Sequence, residues 1–134
     1  MRLNEIKISP DFWLYEYECP CCGLVKLDPK LVACGQRLRD LLGMPVNITS
    51  GFRCTLHNSQ LGGVDNSFHV QGKAADLHSP GTELSALALK CLQIFPRVGF
   101  YWRTVPGRAA GRVLHCDVAD PTTTGLPAKW GDAW

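Results

Sequence analysis

From Gly51 to about Ser67 the chain runs through Arg53, His57, Asn58, Gly62-Gly63, Asp65 and Asn66, a composition that marks irregular backbone rather than a packed element. The segments on either side read as strands. Pro45-Val46-Asn47-Ile48-Thr49 has the alternation and β-branching of a short strand closed by Ser50-Gly51, and Lys73 to His78 reads as another. Loops of this length in compact domains are usually functional, so any site is to be sought where this one meets the strands.

Asp28-Pro29 followed by Leu31, Val32, Leu38, Leu41 and Leu42 predicts a helix over about residues 29–42. Asp28 serves as N-cap, Pro29 sits in the first turn and Gly43 is the stop. A second helix begins at Thr82-Glu83, carries Leu84, Leu87, Ala88, Cys91, Leu92 and Phe95, and ends at Pro96. Arg97 to Trp102 and Arg112 to Val118 read as strands joined by the turn-rich segment Val105-Pro106-Gly107-Arg108. The order helix, strand, loop, strand, helix, strand, strand has too few βαβ alternations for a doubly wound parallel sheet. It predicts an α+β fold, a mainly antiparallel sheet with flanking helices. The 134 residues leave room for one domain and one core. Lys129 to Trp134 reads as a docked end, with stacking of its two tryptophans on substrate as the alternative.

Fourteen basic and twelve acidic residues are mixed along the chain, with no Lys/Arg run to follow a phosphate backbone, so nucleic acid is not an expected partner. No run of roughly 18 apolar residues predicts membrane insertion. The first twenty residues lack an apolar stretch of signal-peptide length, which predicts cytoplasmic synthesis without a signal peptide. The seven cysteines are odd in number and are expected to stay reduced in that compartment. Cys34, Cys91 and Cys116 fall in apolar helix or strand patterns, where cysteine acts as a small hydrophobe. Cys19-Pro20-Cys21-Cys22-Gly23 is half a zinc knuckle without a second ligand pair, and reads as a tight turn with incidental thiols.

His69 and Asp76 lie seven positions apart, the first in the Gly/Asn-rich loop and the second on a strand. The loop can therefore fold back to aim an imidazole at the point a strand carboxylate faces. His115, in Val113-Leu114-His115-Cys116-Asp117-Val118, shares a strand face with Asp117, while Cys116 points to the other side. Two imidazoles and a carboxylate leave a fourth position on Zn²⁺ open, which is the pattern of a catalytic site. Asp117 is the candidate base for the metal's water, and Arg53 offers a planar fork for a substrate carboxylate or carbonyl. His57 is assigned either a structural loop contact or a substrate contact, and His78 an exposed place at a strand end.

The ordered run Ser50-Gly51-Phe52-Arg53, His57-Asn58, Gly62-Gly63 and Ser67-Phe68-His69-Val70-Gln71-Gly72-Lys73-Ala74-Ala75-Asp76 resembles the zinc D-alanyl-D-alanine carboxypeptidase family, the LAS metallopeptidases, with its phage and bacterial peptidoglycan endopeptidases. The resemblance extends from about Phe12 to Trp130 and implies a fold shared with the hedgehog signalling domain. It implies zinc held by His69, Asp76 and His115, substrate contact from Arg53, and a substrate-contacting or supporting role for Ser67. Residues 1–134 would form a single zinc peptidase domain acting as a monomer. Several relatives carry the catalytic carboxylate three residues before the last ligand. That position is Arg112 here, which leaves Asp117 of the His-x-Asp ending as the base.

The resemblance implies zinc-dependent hydrolysis of a peptide bond in bacterial peptidoglycan, as a D-Ala-D-Ala carboxypeptidase or a stem or cross-bridge endopeptidase, in the manner of a phage or prophage lysis enzyme. A chain made without a signal peptide would reach the wall through release or delivery by other factors. The same fold also serves recognition, so the alternative is a non-catalytic, zinc-containing cell-wall binding or interaction module.

Overall fold

The computed structural model describes residues 2–101 and 113–134. A short hairpin of β1 (Lys7–Ser9) and β2 (Phe12–Trp13) opens the chain and passes through a 3-10 turn, Leu14–Tyr17, into the Cys19–Gly23 segment. Then α1 (Pro29–Leu42) forms over the expected residues. The Asp28 carboxylate accepts from the Lys30 amide and Gly43 closes the last turn in a left-handed conformation.

The main sheet is built from β3 (Asn47–Ser50), β4 (Ala74–His78), β5 (Arg97–Gly99), β6 (Leu114–Asp117) and β7 (Lys129–Trp130). Their order is β3-β4-β6-β5-β7, antiparallel throughout except for the parallel pair β5 and β7. This is the α+β, mainly antiparallel architecture that the element order predicts. Packed against the sheet, α1 and α3 (Leu84–Leu92) bury Leu31, Leu38, Leu87 and Cys91 with Leu77, Val98 and Leu114 of the strands. Cys91 and Cys116 are fully buried, as their apolar surroundings predict, and Cys34 is partly so.

Two segments depart from expectation. Within the long loop the structure places α2 (Thr55–Gln60), whose N-cap is Cys54, with its sulfur accepting from the His57 amide. After β6 a single turn, α4 (Pro121–Thr124), capped by Asp120, leads to β7, so the C-terminal segment is a strand of the sheet. The predicted turn Val105–Arg108, together with Trp102 and Arg112, lies outside the described residues. Among those described, no helix is long and apolar enough to cross a membrane.

Candidate metal centre

The site stands on the middle of the sheet because the register puts it there. In the β4–β6 ladder Asp76 pairs with His115 and Ala74 with Asp117, and in the β5–β6 ladder Arg97 pairs with Asp117. The remaining ligand comes from the loop: His69 donates its amide to Ser67 Oγ at 3.2 Å, and the Arg53 amide donates to the His69 carbonyl. Gly72 (φ 73°) then turns the chain into β4, at a point where a Cβ would lie 2.4 Å from the Lys26 carbonyl oxygen. Only a residue without a side chain fits that crossing.

Each imidazole has one nitrogen committed and one free. His69 Nδ1 is 2.8 Å from the Gly51 carbonyl oxygen, an atom that can only accept, so the proton sits on Nδ1 and the Nε2 lone pair is left. His115 Nε2 is 2.9 Å from Asp117 Oδ2, which holds the proton on Nε2 and frees Nδ1. The free nitrogens face each other at 3.2 Å, and each lies 3.3 Å from Asp76 Oδ1. Asp76 Oδ1 is buried, yet neither ring is oriented to hydrogen-bond it. Three acceptor atoms thus converge at contact distance, an arrangement that repels itself unless a proton or a metal cation lies between them.

The spacing fits such a cation. Zinc bonds to nitrogen and oxygen of about 2.0–2.2 Å in a tetrahedron set the ligand atoms about 3.3–3.6 Å apart. The triangle of His69, Asp76 and His115 has the donor set and the dimensions of a metal centre.

The charges around it agree in direction. Burial alone would raise the Asp76 carboxyl, but the charges of the adjacent His69 and His115 hold it well below the usual carboxylate range. Burial lowers His69, against the pull of Asp76. His115 is raised to about 9: burial works against its charged form, and the hydrogen bond to Asp117 with the charges of Asp76 and Asp117 outweighs it.

The other expected residues stand as follows. Arg53 is 4% exposed and is turned to Asp76, donating from Nη2 to Oδ2 at 3.0 Å and from Nε to Ser50 Oγ, while Nη1 is buried without a partner. Asp117 is wholly enclosed, on the far side of the His115 ring from the converging donors rather than beside them. Its oxygens accept from Arg97 Nε at 2.9 and 3.1 Å and from the Ala119 amide. Ser67 lines the cavity at the site. His78 departs from the exposed position expected of it, being only half exposed with Nδ1 buried. His57 contributes its backbone amide to the cap of α2.

A cavity of about 720 Å³ opens on His69 and His115, walled by Gly62-Gly63, Phe68, Tyr101 and Trp130 among others. Trp130 packs edge-on against His115, with ring centroids 5.3 Å apart, and lies under the Arg97 guanidinium at 4.3 Å. The docked and the substrate-facing readings of this tryptophan therefore describe one position. Arg97 also lines the cavity, and sequence reasoning missed it; the available signal was an arginine opening an otherwise apolar strand after Pro96. The described lining residues include no carboxylate.

Comparison with known proteins bears on these residues. The family model described as Peptidase M15 matches residues 14–105, which takes in His69 and Asp76. The chain is also similar to a zinc D-Ala-D-Ala carboxypeptidase of Streptomyces albus G, at 41% identity over 54 residues. That match covers 40% of this chain and 21% of the relative.

Proposed function

Because the chain belongs to the Peptidase M15 family, we propose that it is a zinc-dependent peptidase that cleaves a peptide bond of bacterial peptidoglycan, as one single domain. The observation that carries this reading is the convergence of His69 Nε2, Asp76 Oδ1 and His115 Nδ1, each belonging to a group whose other polar atom is held by a partner behind it. These three hold the ion. When bound, zinc supplies a Lewis acid and lowers the pKa of its water towards about 7.

The protein's own groups divide the remaining work. Gly51 and Asp117 fix the two imidazole tautomers, and Arg53 holds the second oxygen of Asp76 so that the first stays aimed at the site. Arg53 Nη1 has no partner among the described residues, but it is buried and Arg53 does not line the cavity, so its first role is to hold Asp76. Asp117 takes the role of orienting carboxylate instead of that of base, since His115 stands between it and the other donors. Ser67 and the aromatic walls Phe68, Tyr101 and Trp130 shape a cavity suited to a short peptide.

The name of the Streptomyces relative favours a D-alanyl-D-alanine bond. Lysis of a host wall by a phage or prophage enzyme fits the same chemistry. Mass analysis of purified peptidoglycan fragments after digestion tests the proposal. Loss of a single alanine identifies a carboxypeptidase, and new amines within the stem or cross-bridge identify an endopeptidase. Unchanged fragments in the presence of zinc-loaded protein would favour a binding module. His69→Ala is expected to abolish both the zinc of this site and the activity.

A further inference from the structure

The Cys19–Gly23 turn does not stand alone. Cys54, which ends the SGFRC segment, comes back onto it, so that the sulfurs of Cys19, Cys22 and Cys54 lie within 4.8 Å of one another. Cys21 sits in the same turn, with Cys54 as the first of the groups that raise its thiol. Four of the seven cysteines therefore gather in one cluster, although none is in a disulfide.

The backbone around them is arranged to hold thiolates. The Cys54 amide donates to the Cys19 sulfur at 3.5 Å, and the Cys21 and Cys22 amides lie on the same side of the turn, where they favour its thiolate. Burial of Cys19 pushes its thiol up, but these three amides outweigh it and bring the group down to about 7. The Cys54 sulfur in turn accepts from the His57 amide at 3.4 Å. The Gly23 amide donates to the Cys19 carbonyl and the Cys19 amide to the Leu24 carbonyl, closing the turn on which Cys19 and Cys22 are carried. Two sulfurs with two residues between them in a tight turn, facing a third from a distant segment, with amides aimed at them, form the ligand side of a thiolate metal site.

We propose that Cys19, Cys22 and Cys54 bind a second Zn²⁺ as thiolates, with Cys21 completing the tetrahedron. Each ligating thiol gives up its proton to solvent on binding. A site with four sulfurs has no open position, so its role is to join parts of the chain. The parts joined are the N-terminal segment and the strand end carrying Arg53 and Gly51, the groups behind Asp76 and His69. These segments already meet closely: the Phe52 amide donates to the Tyr17 carbonyl at 2.8 Å, and a Cβ on Gly51 would lie 2.6 Å from the Tyr17 backbone.

Cobalt loading of protein kept reduced during purification tests this, because thiolate-to-cobalt charge-transfer absorption in the near ultraviolet reports sulfur ligation whatever happens at the histidine centre. The expected result is that absorption, with two metals per chain. In His69→Ala/His115→Ala the band should persist with one metal per chain, which separates this site from the peptidase centre. In Cys54→Ser the band and one metal should be lost. Cys22 is exposed, so Cys22→Ser repeats the test in a variant that alters no buried side chain. A reduced protein without the band, a metal count unchanged by both cysteine substitutions, or a mass spectrum showing Cys19 paired in a disulfide would overturn the proposal.

Discussion

Nε2 of His115 lies 2.9 Å from Oδ2 of Asp117, two residues on along the same strand, while Nδ1 of the same ring faces Asp76. The ring thus separates the buried carboxylate from the converging donors. In Asp117→Asn the Arg97 and Ala119 donors keep the remaining oxygen on their side and turn the new NH₂ to His115, which loses the acceptor that fixes its tautomer. The expected outcome is a 10–100-fold loss of zinc affinity with a parallel loss of activity. Competition with a chromogenic chelator measures the first. A variant that keeps wild-type zinc affinity but loses turnover would instead mark Asp117 as a base.

Behind Asp117 stands Arg97, whose Nε bridges both carboxylate oxygens and whose Nη1 donates to the Pro127 carbonyl. The pair is buried on both sides, with side-chain exposures of 7% and 0%. Arg97→Met leaves a buried carboxylate without its cation, so unfolding free energy should fall by about 3–5 kcal/mol in denaturant titration. Arg97→Lys keeps the charge but not the fork, and a smaller loss is expected.

The metal-free protein should show a pH dependence set by His115. Its folded-state value of about 9 lies above the ordinary 6.5, so it contributes stability that is fully present below pH 6.5 and is lost as pH rises through about 9. Zinc must displace the proton from Nδ1, so binding near pH 7 should release a proton and tighten as pH rises towards 9. Calorimetry in buffers of different ionisation enthalpy counts the protons released.

Local signals carried much of this structure, and long-range contacts carried the rest. Helix α1 was legible to the residue because cap, proline and glycine all act within its own span. The shared face of His115 and Asp117 followed from the two-residue period of a strand. Strand register is a different matter: nothing near Arg97 in sequence says that it will lie opposite Asp117, so the cation behind the site was missed. Helix α2 escaped because its cap is a cysteine sulfur, outside the usual Ser, Thr, Asp and Asn. For the same reason of distance along the chain, the knuckle at Cys19 read as half a site until Cys54 folded onto it.

The crossing at Gly72 ties the His69 loop to its ligand position and can be broken by one methyl group. Its φ of 73° already costs a non-glycine residue roughly 1–2 kcal/mol. A Cβ would also meet the Lys26 carbonyl oxygen at 2.4 Å, a backbone atom tied down by the adjoining bond from the Asp28 amide to the Gly72 carbonyl. Gly72→Ala should therefore lose at least about 2 kcal/mol of stability, since strain and clash add. The displacement should reach His69, whose carbonyl accepts from the Gly72 amide at 3.3 Å. Zinc affinity at the histidine centre should fall with it, whereas Gly43→Ala, at a left-handed position with no atom near its Cβ, should cost stability alone. Thermal melts and zinc titrations on the two variants make the comparison, and equal zinc affinity in both would show that the Gly72 crossing does not position His69.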